Sequence, residues 1–193
     1  GPEGPWRDQR TSDFISQGYS SMMYDLGESE APAPQAPFLG VVDHMTGTMA
    51  GHAIVAALLA RERQGKGQQI VTSILGTALW MIWGPVYGFL VTGREPRRHS
   101  RARPGNPMRN YYKCADGKWV IGGEVPGNWR RFARAFGLEE MLNDPRFADA
   151  PSLSRNHEEA TAMLDRHFAT KPREEWVRMA READLVFGPV NTM

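Results

Sequence analysis

Small and apolar residues recur at helical spacing over residues 45–63. Met45 and Met49 lie on the apolar face, and Gly65 stands where such a helix would end. The run QQIVTSI, residues 68–74, follows with the composition of a buried strand. A helix followed directly by a buried strand predicts an α/β unit in this part of the chain.

Two further apolar patterns predict helices before and after this unit. Residues 12–23 place Phe14 and Ile15 on one side of a short helix, and residues 77–90 form a longer, more apolar helix. Proline and alanine predominate in residues 27–37, which therefore predict a linker.

A different pattern begins after an arginine-rich stretch. Residues 94–109 contain six arginines and one glutamate. Two β-rich runs then flank Asp116 and Gly117, a dipeptide typical of a type I′ hairpin turn. Apolar residues from Trp129 to Phe136 mark a helix face that Gly137 closes.

Two more helices are predicted near the end of the chain. Asn156 and Glu159 have the spacing of a capping box, and Thr170 with Pro172 opens the last helix. The inner face of that helix is expected to consist of Trp176, Met179, Ala180 and Ala183.

These patterns predict a mixed α/β protein with two folded parts. Residues 1–93 form part of a large α/β domain, residues 94–106 an arginine-rich linker, and residues 107–193 a small α+β domain. The chain starts without methionine and stops directly after a predicted strand, so we expect a segment of a longer protein.

The net charge and the cysteine content restrict the kinds of binding partner and the cellular compartment that we expect. The net charge is +1, from 23 basic and 22 acidic residues, so no overall field attracts nucleic acid or a membrane surface. No apolar run reaches the ~18 residues of a membrane span. A single cysteine, Cys114, cannot form an internal disulfide and fits a reducing, cytoplasmic compartment.

Several candidate sites have a simpler structural interpretation. Gly65, Lys66 and Gly67 resemble a phosphate loop, but a helix precedes them and a strand follows, which is the reverse of a phosphate cradle. His44 and His52 are eight positions apart and lack the spacing of a helical metal pair. The arginine run is expected to be mainly a solvated linker, with weak anion binding as the alternative.

Asp43 is the one carboxylate placed before the small-residue helix, and it has two interpretations. It could cap the helix, which is worth about 1 kcal/mol, although Thr46 three positions later completes no capping box. It could instead be a nucleophile that attacks an activated acyl group. The residues alone favour the cap and leave the second role open, and the two roles are compatible.

The order of motifs along the chain resembles the family III CoA-transferases (CaiB/BaiF, formyl-CoA transferase-like). The segments concerned are GPEGPWRDQRTSDFISQGYSSMM, GVVDHMTGTMAGHAIVAALLARERQGKGQQIVTSI, and ADGKWVIGG onward through DPRF to FGPVNT. Family members are longer at both ends. The resemblance implies a partial Rossmann-like large domain, a small α+β domain and an interlocked homodimer.

The resemblance also implies a reaction and a set of site residues. Asp43 corresponds to the family's nucleophilic aspartate, which passes CoA from an acyl-CoA to a carboxylic acid through anhydride and thioester intermediates. Arg10 corresponds to a basic position near the CoA site, Asp13 to an acidic position near the nucleophile, and Gly105 to a substrate loop. Coenzyme A enters as a thioester substrate, so no bound cofactor is expected. For the reasons of spacing, charge and apolar run length given above, no metal, nucleic acid or membrane is expected either.

Two departures from the family restrict this reading. The related racemases have a histidine where this chain has Ser12, so racemisation through an α-carbanion is not expected. The stretch ARPGNP retains only Gly105 where formyl-CoA transferases have four glycines, which argues against oxalate and formate as acceptors. The alternatives are a non-catalytic homologue or anion-binding domain, in which Asp43 is only a helix cap, and an acyl-CoA racemase of the same fold.

Overall fold

In the computed structural model, which describes residues 3–29, 31 and 33–193, the chain divides into the units Gly1–His99 and Ser100–Met193. The division falls inside residues 94–106, the predicted linker. Two residues of the other predicted linker, residues 30 and 32, lie outside the described residues.

Helices supply the regular structure of the first unit in the part of the chain that is described. They are α1 (Asp13–Tyr19), α2 (Met22–Asp25), α3 (Val41–Gln64), α4 (Ile74–Met81) and α5 (Trp83–Thr92). The predicted strand at residues 68–74 is wrong, because residues 68–73 have no regular secondary structure and Ile74 already begins α4. A strand needs a neighbour to bind its backbone groups, and the described residues of this unit place none beside it.

The apolar stretch predicted as one helix is in fact two. Helices α4 and α5 meet at Ile82 with a bend of 80°. Pro85 lacks the N–H that would bind the Met81 carbonyl, so a continuous helix cannot form here. No single helix of the described residues is long and apolar enough to span a membrane, and only the bent α4–α5 pair reaches that length and composition together.

The core of the first unit is small. It consists of Met22, Val42, Ala78 and Ile82. Phe14 and Ile15, predicted as the inner side of the first helix, are exposed, and the buried residues of α1 are Asp13, Ser16 and Gln17. The buried face of α1 is polar because it faces the start of α3, where backbone N–H groups need acceptors.

The second unit is a three-stranded antiparallel sheet with helices. Its strands are β1 (Tyr111–Lys113), β2 (Trp119–Gly122) and β3 (Phe187–Val190), in the order β1-β2-β3. Its helices are α6 (Trp129–Ala135), α7 (Glu139–Asn143), α8 (Ala150–Arg155), α9 (His157–Phe168) and α10 (Arg173–Glu182). Val120 pairs with Tyr112 on one side and with Pro189 on the other.

The predicted hairpin is present, but its turn type is different. The turn bond runs from the N–H of Gly117 to the carbonyl of Cys114, at 3.0 Å. Asp116 and Gly117 are therefore the last two residues of the turn, and only Gly117, with φ of +76°, is left-handed. A type I′ turn needs positive φ at both central residues, so that part of the prediction is wrong.

Aromatic rings form the core of the second unit. The fully buried rings belong to Tyr112, Trp129, Phe132, Phe136, Phe147, Phe168 and Trp176. Both indole N–H groups donate to backbone carbonyls, Trp129 to Phe147 at 2.5 Å and Trp176 to Phe168 at 2.9 Å. The predicted capping box is absent, because the Asn156 amide donates to the carbonyls of Arg146 and Ser152 instead.

Candidate active site

The start of helix α3 presents Asp43 in its first turn. Gly40 is the N-cap residue and has φ of +90°, a left-handed conformation that glycine adopts without strain. Counting from Gly40, Asp43 is the third helical residue. The interpretation of Asp43 as the N-cap is therefore wrong, because the glycine allows the chain to turn into the helix three residues earlier.

Asp13 of helix α1 supplies the cap from outside the helix. Its side chain is only 2% exposed, and its Oδ2 accepts the N–H of Gly40 at 2.9 Å. Its Oδ1 accepts the N–H groups of Val42 at 2.7 Å and Asp43 at 3.3 Å. Three of the N–H groups that a helix start leaves without intrahelical partners are thus bound by one carboxylate.

Gln17 holds this carboxylate in place. It lies one turn after Asp13 on α1, and its Nε2 donates to Asp13 Oδ2 at 2.5 Å and to the Phe38 carbonyl at 3.1 Å. Burial by itself raises the pKa of Asp13, but the hydrogen bonds from Gly40, Val42, Asp43 and Gln17 outweigh burial and lower the pKa below its ordinary value. Asp13 is therefore ionised at neutral pH.

The Asp43 carboxylate has the opposite environment. It is exposed, and within the described ranges it makes no hydrogen bond or ion pair. The positive end of the α3 dipole lies beside it and favours negative charge. A carboxylate without a hydrogen-bond partner at such a position can attack an electrophilic carbonyl without first losing a partner.

The structure brings Asp13 and Asp43 together and places the other predicted residues elsewhere. Arg10 is exposed and precedes α1, while Ser12 is the N-cap of α1. Gly105 belongs to the second unit, where its carbonyl accepts the Ser154 hydroxyl at 3.1 Å. Substrate-binding roles for Arg10, Asp13 and Gly105 stay predictions.

The histidines and the arginine run do not form a binding site within the described part of the chain. His44 and His52 are exposed, and the described residues contain no group of three or more metal-ligating side chains. Two arginines of residues 94–109 have internal partners: Arg98 Nε donates to the Tyr24 carbonyl at 2.8 Å, and Arg101 Nη1 donates to Asp165 at 2.9 Å. These contacts anchor the run to the folded units that flank it.

Sequence reasoning missed one residue of this site, and it missed a cleft elsewhere in the first unit. Gln17 was not singled out, although its i,i+4 spacing from Asp13 was a usable signal. A cleft of about 380 Å³ in the first unit was also missed, because its lining comes from distant parts of the chain. Trp6 and Tyr19 line it with ring centroids 4.9 Å apart, and Ser73 lines it as well.

Comparison with known proteins identifies the family. The sequence model for CoA-transferase family III matches residues 1–193. The chain belongs to this family. It is 31% identical over its whole length to an acyl-CoA transferase of Fusarium pseudograminearum (strain CS3096), of which it covers 42%. It is 27% identical to the (R)-2-hydroxy-4-methylpentanoate CoA-transferase of Clostridioides difficile, of which it covers 48%.

A solved structure confirms the fold for the portion covered. The crystal structure of a CAIB/BAIF family protein from Brucella suis matches with a TM-score of 0.82 at 27% identity, over 100% of this chain and 50% of that chain. This family III CoA-transferase chain therefore spans about half the length of the relatives it matches. The resemblance drawn from the sequence motifs is confirmed at the level of the family.

Proposed function

We propose that the full-length protein encoded by this reading frame transfers CoA between an acyl-CoA and a free carboxylic acid, with Asp43 as the nucleophile. The observation that carries the proposal is the Asp43 carboxylate, exposed and without a bonding partner among the described residues at the start of α3. Family membership supports it, and the relatives include a succinyl-CoA:glutarate CoA-transferase and an acetyl-CoA:oxalate CoA-transferase.

The first half of the reaction loads CoA onto the protein. An Asp43 oxygen attacks the thioester carbonyl of the donor acyl-CoA, the C–S bond breaks, and CoA leaves as the thiolate. The product is a mixed anhydride between Asp43 and the donor acyl group. The thiolate then attacks the Asp43 carbonyl carbon, which gives an aspartyl-CoA thioester and releases the donor as its carboxylate.

The second half runs the same steps with the acceptor. Its carboxylate attacks the aspartyl-CoA thioester, forming a new anhydride and again releasing the thiolate. The thiolate attacks the acceptor acyl carbon, so acceptor acyl-CoA leaves and the Asp43 carboxylate is regenerated. No proton is gained or lost overall, which is why the reaction needs no second acid or base beside Asp43.

The alternative activities are less well supported. Racemisation needs two proton carriers, and Ser12 stands where the racemases have one of them. A purely structural Asp43 is disfavoured because Gly40 and Asp13, not Asp43, begin and cap α3. An anion-binding surface at residues 94–109 is weakened because Arg98 and Arg101 have internal partners.

The proposal extends to the context of the whole protein. The first unit would be part of a Rossmann-like large domain, and the protein would be an interlocked, cytoplasmic homodimer. Exposed apolar side chains on α5 support a covered surface there, since Trp83 is 67% and Leu90 74% exposed. Light scattering of the full-length protein tests the dimer, and a monomer would contradict it.

Trapping the covalent intermediate tests the proposed reaction. Full-length protein incubated with succinyl-CoA or acetyl-CoA and quenched with hydroxylamine or borohydride should show a mass change on the peptide that contains Asp43. Asp43→Ala and Asp43→Asn should abolish both the adduct and CoA transfer. Glu62→Gln is the matched control, because it neutralises another exposed carboxylate of α3 and should leave transfer unchanged.

The outcomes distinguish the candidate functions. Transfer that survives in Asp43→Asn, with no adduct in the wild type, would contradict the nucleophile assignment. Exchange of the α-proton of a 2-methylacyl-CoA in deuterated water, at a rate comparable to transfer, would favour the racemase alternative.

A further inference from the structure

An acidic side chain at the third position of a helix can reach back to the N-cap residue, as glutamate does in a capping box. In a capping box, the carboxylate of this residue accepts the N–H of the N-cap residue. In α3 these positions are Asp43 and Gly40. An Asp43 carboxylate bound in this way would have to break that hydrogen bond before it attacked a thioester.

The Gly40 N–H is already occupied. Asp13 Oδ2 accepts it at 2.9 Å, and Gln17 Nε2 donates to the same oxygen at 2.5 Å. The other oxygen of Asp13 accepts the N–H of Asp43 itself at 3.3 Å. Asp13 thus holds the backbone of Asp43 and occupies the donor that its side chain would otherwise bind.

Charge reinforces this arrangement. Asp13 is buried and ionised, so a second carboxylate that folded onto the same N–H groups would approach a like charge. Of the two acidic groups at this helix start, Asp13 is enclosed and hydrogen-bonded, whereas Asp43 is exposed and its carboxylate makes no hydrogen bond in the described structure.

We propose that Asp13 is a positioning residue for the nucleophile: it takes the N–H groups at the start of α3 and so leaves the Asp43 carboxylate unbound and free to react. This inference rests on the proposed function, because it assigns Asp13 a role in presenting Asp43. It replaces direct substrate contact as the role of Asp13, whose two oxygens are both engaged by the protein.

Kinetics of adduct formation provide the first test. In full-length Asp13→Ala, the free Gly40 N–H captures the Asp43 carboxylate, and the reactive oxygen is displaced. Adduct formation with succinyl-CoA or acetyl-CoA should slow about 100-fold, the effect of a misplacement of roughly 1 Å. The KM for the acyl-CoA should stay near the wild-type value, because Asp13 does not contact substrate.

A double-mutant cycle in stability provides the second test, which is independent of activity. In the wild type, Asp43→Ala should leave the unfolding equilibrium constant nearly unchanged, since the Asp43 side chain has no hydrogen bond to lose. In the Asp13→Ala background Asp43 becomes the cap, so Asp43→Ala should shift the equilibrium about fivefold toward unfolding. A merely structural role for Asp13 predicts no such coupling.

A control variant and a second Asp13 variant distinguish the loss of Asp43 positioning from general destabilisation or misfolding. Asp149 caps α8 through its Oδ1, which accepts the Ser152 N–H at 2.8 Å, so Asp149→Ala removes a helix cap in the other unit and should not slow adduct formation. Should Asp13→Ala not fold, Asp13→Asn serves instead, because an amide keeps one acceptor oxygen but turns a donor toward the Gly40 N–H.

The possible results separate the inference from the proposed function. Slow adduct formation in the Asp13 variant with unchanged KM, together with the stability coupling, supports the inference. A normal rate in the Asp13 variant, while the wild type forms its Asp43 adduct, overturns the inference alone. No adduct in the wild type overturns the proposed function and the inference with it.

Discussion

Two aspartates lie near the N–H groups at the start of α3, and their environments are opposite. Asp13 is buried and binds the backbone through both oxygens, whereas Asp43 is exposed and unbonded in the described structure. Their responses to substitution should therefore differ in kind. We expect Asp13 to contribute to stability and Asp43 to contribute to the proposed reaction.

Neutralising each aspartate should show this difference in equilibrium unfolding. We expect Asp43→Asn to change the free energy of unfolding by less than about 0.5 kcal/mol, as is usual for an exposed residue without partners. Asp13→Asn should lower it by about 2 kcal/mol, because a buried N–H loses its acceptor. Urea unfolding of the two variants measures both, and equal losses would contradict the assigned environments.

The acid sensitivity of the protein should depend on Asp13. Hydrogen bonds lower its folded pKa below the unfolded value of about 3.9, so Asp13 contributes stability that is fully present above that value. This contribution is lost as the pH falls from the unfolded pKa through the folded one. Asp13→Asn should flatten the pH dependence of the free energy of unfolding below about pH 5, and an unchanged pH dependence there would show that Asp13 is not linked to folding.

At the scale of elements, glycines set both ends of α3. Gly40 and Gly65 have φ of +90° and +69°, and each lies just outside the helix. The position of Gly65 was predicted from the sequence. That of Gly40 was not, because the two β-branched residues between it and Asp43, Val41 and Val42, give no clear helix signal.

Replacing Gly65 isolates the cost of the left-handed conformation. An added Cβ would meet no atom within 4 Å, so Gly65→Ala should destabilise the protein by about 1–2 kcal/mol through backbone strain alone. Gly67→Ala is the matched control, since that glycine is also in open space but lacks a positive φ. Thermal unfolding should separate the two variants, and similar melting temperatures would argue against strain at Gly65.

At the scale of the whole molecule, the two units differ in how much apolar surface they bury. Among the described residues, the exposed large apolar side chains of the second unit are Ile121, Val125, Val186, Val190 and Met193, and all the others lie in the first. The second unit buries a continuous aromatic core, while the apolar core of the first consists of four residues in the described chain.

This difference predicts that the second unit can fold alone, whereas the first cannot. Residues 100–193 expressed alone should unfold cooperatively, with a near-ultraviolet circular dichroism signal from the buried rings of Trp129 and Trp176. Residues 1–99 alone should aggregate or bind a hydrophobic dye, because α3 to α5 expose apolar surface. A cooperative, soluble fragment 1–99 would contradict this account.

The sequence by itself determined the local features whose causes are local. The periodicity of Trp129, Phe132 and Phe136 gave α6, Pro172 marked the start of α10, and Asp116 with Gly117 located the hairpin. The motif order also identified the family, and Asp43 stood out as its candidate nucleophile. These signals survive because helix faces, caps and turns depend on neighbours a few positions away.

Only the tertiary structure decided what depends on distant residues. QQIVTSI has strand composition but no strand beside it in the described chain, and strand pairing is not encoded in one segment. The cap of α3 comes from Asp13, 27 positions before Gly40, which accounts for the mistaken assignment of that cap to Asp43. A hydrogen bond between residues so far apart in sequence forms only when packing brings two helices together, so the freedom of the Asp43 carboxylate is a property of the fold.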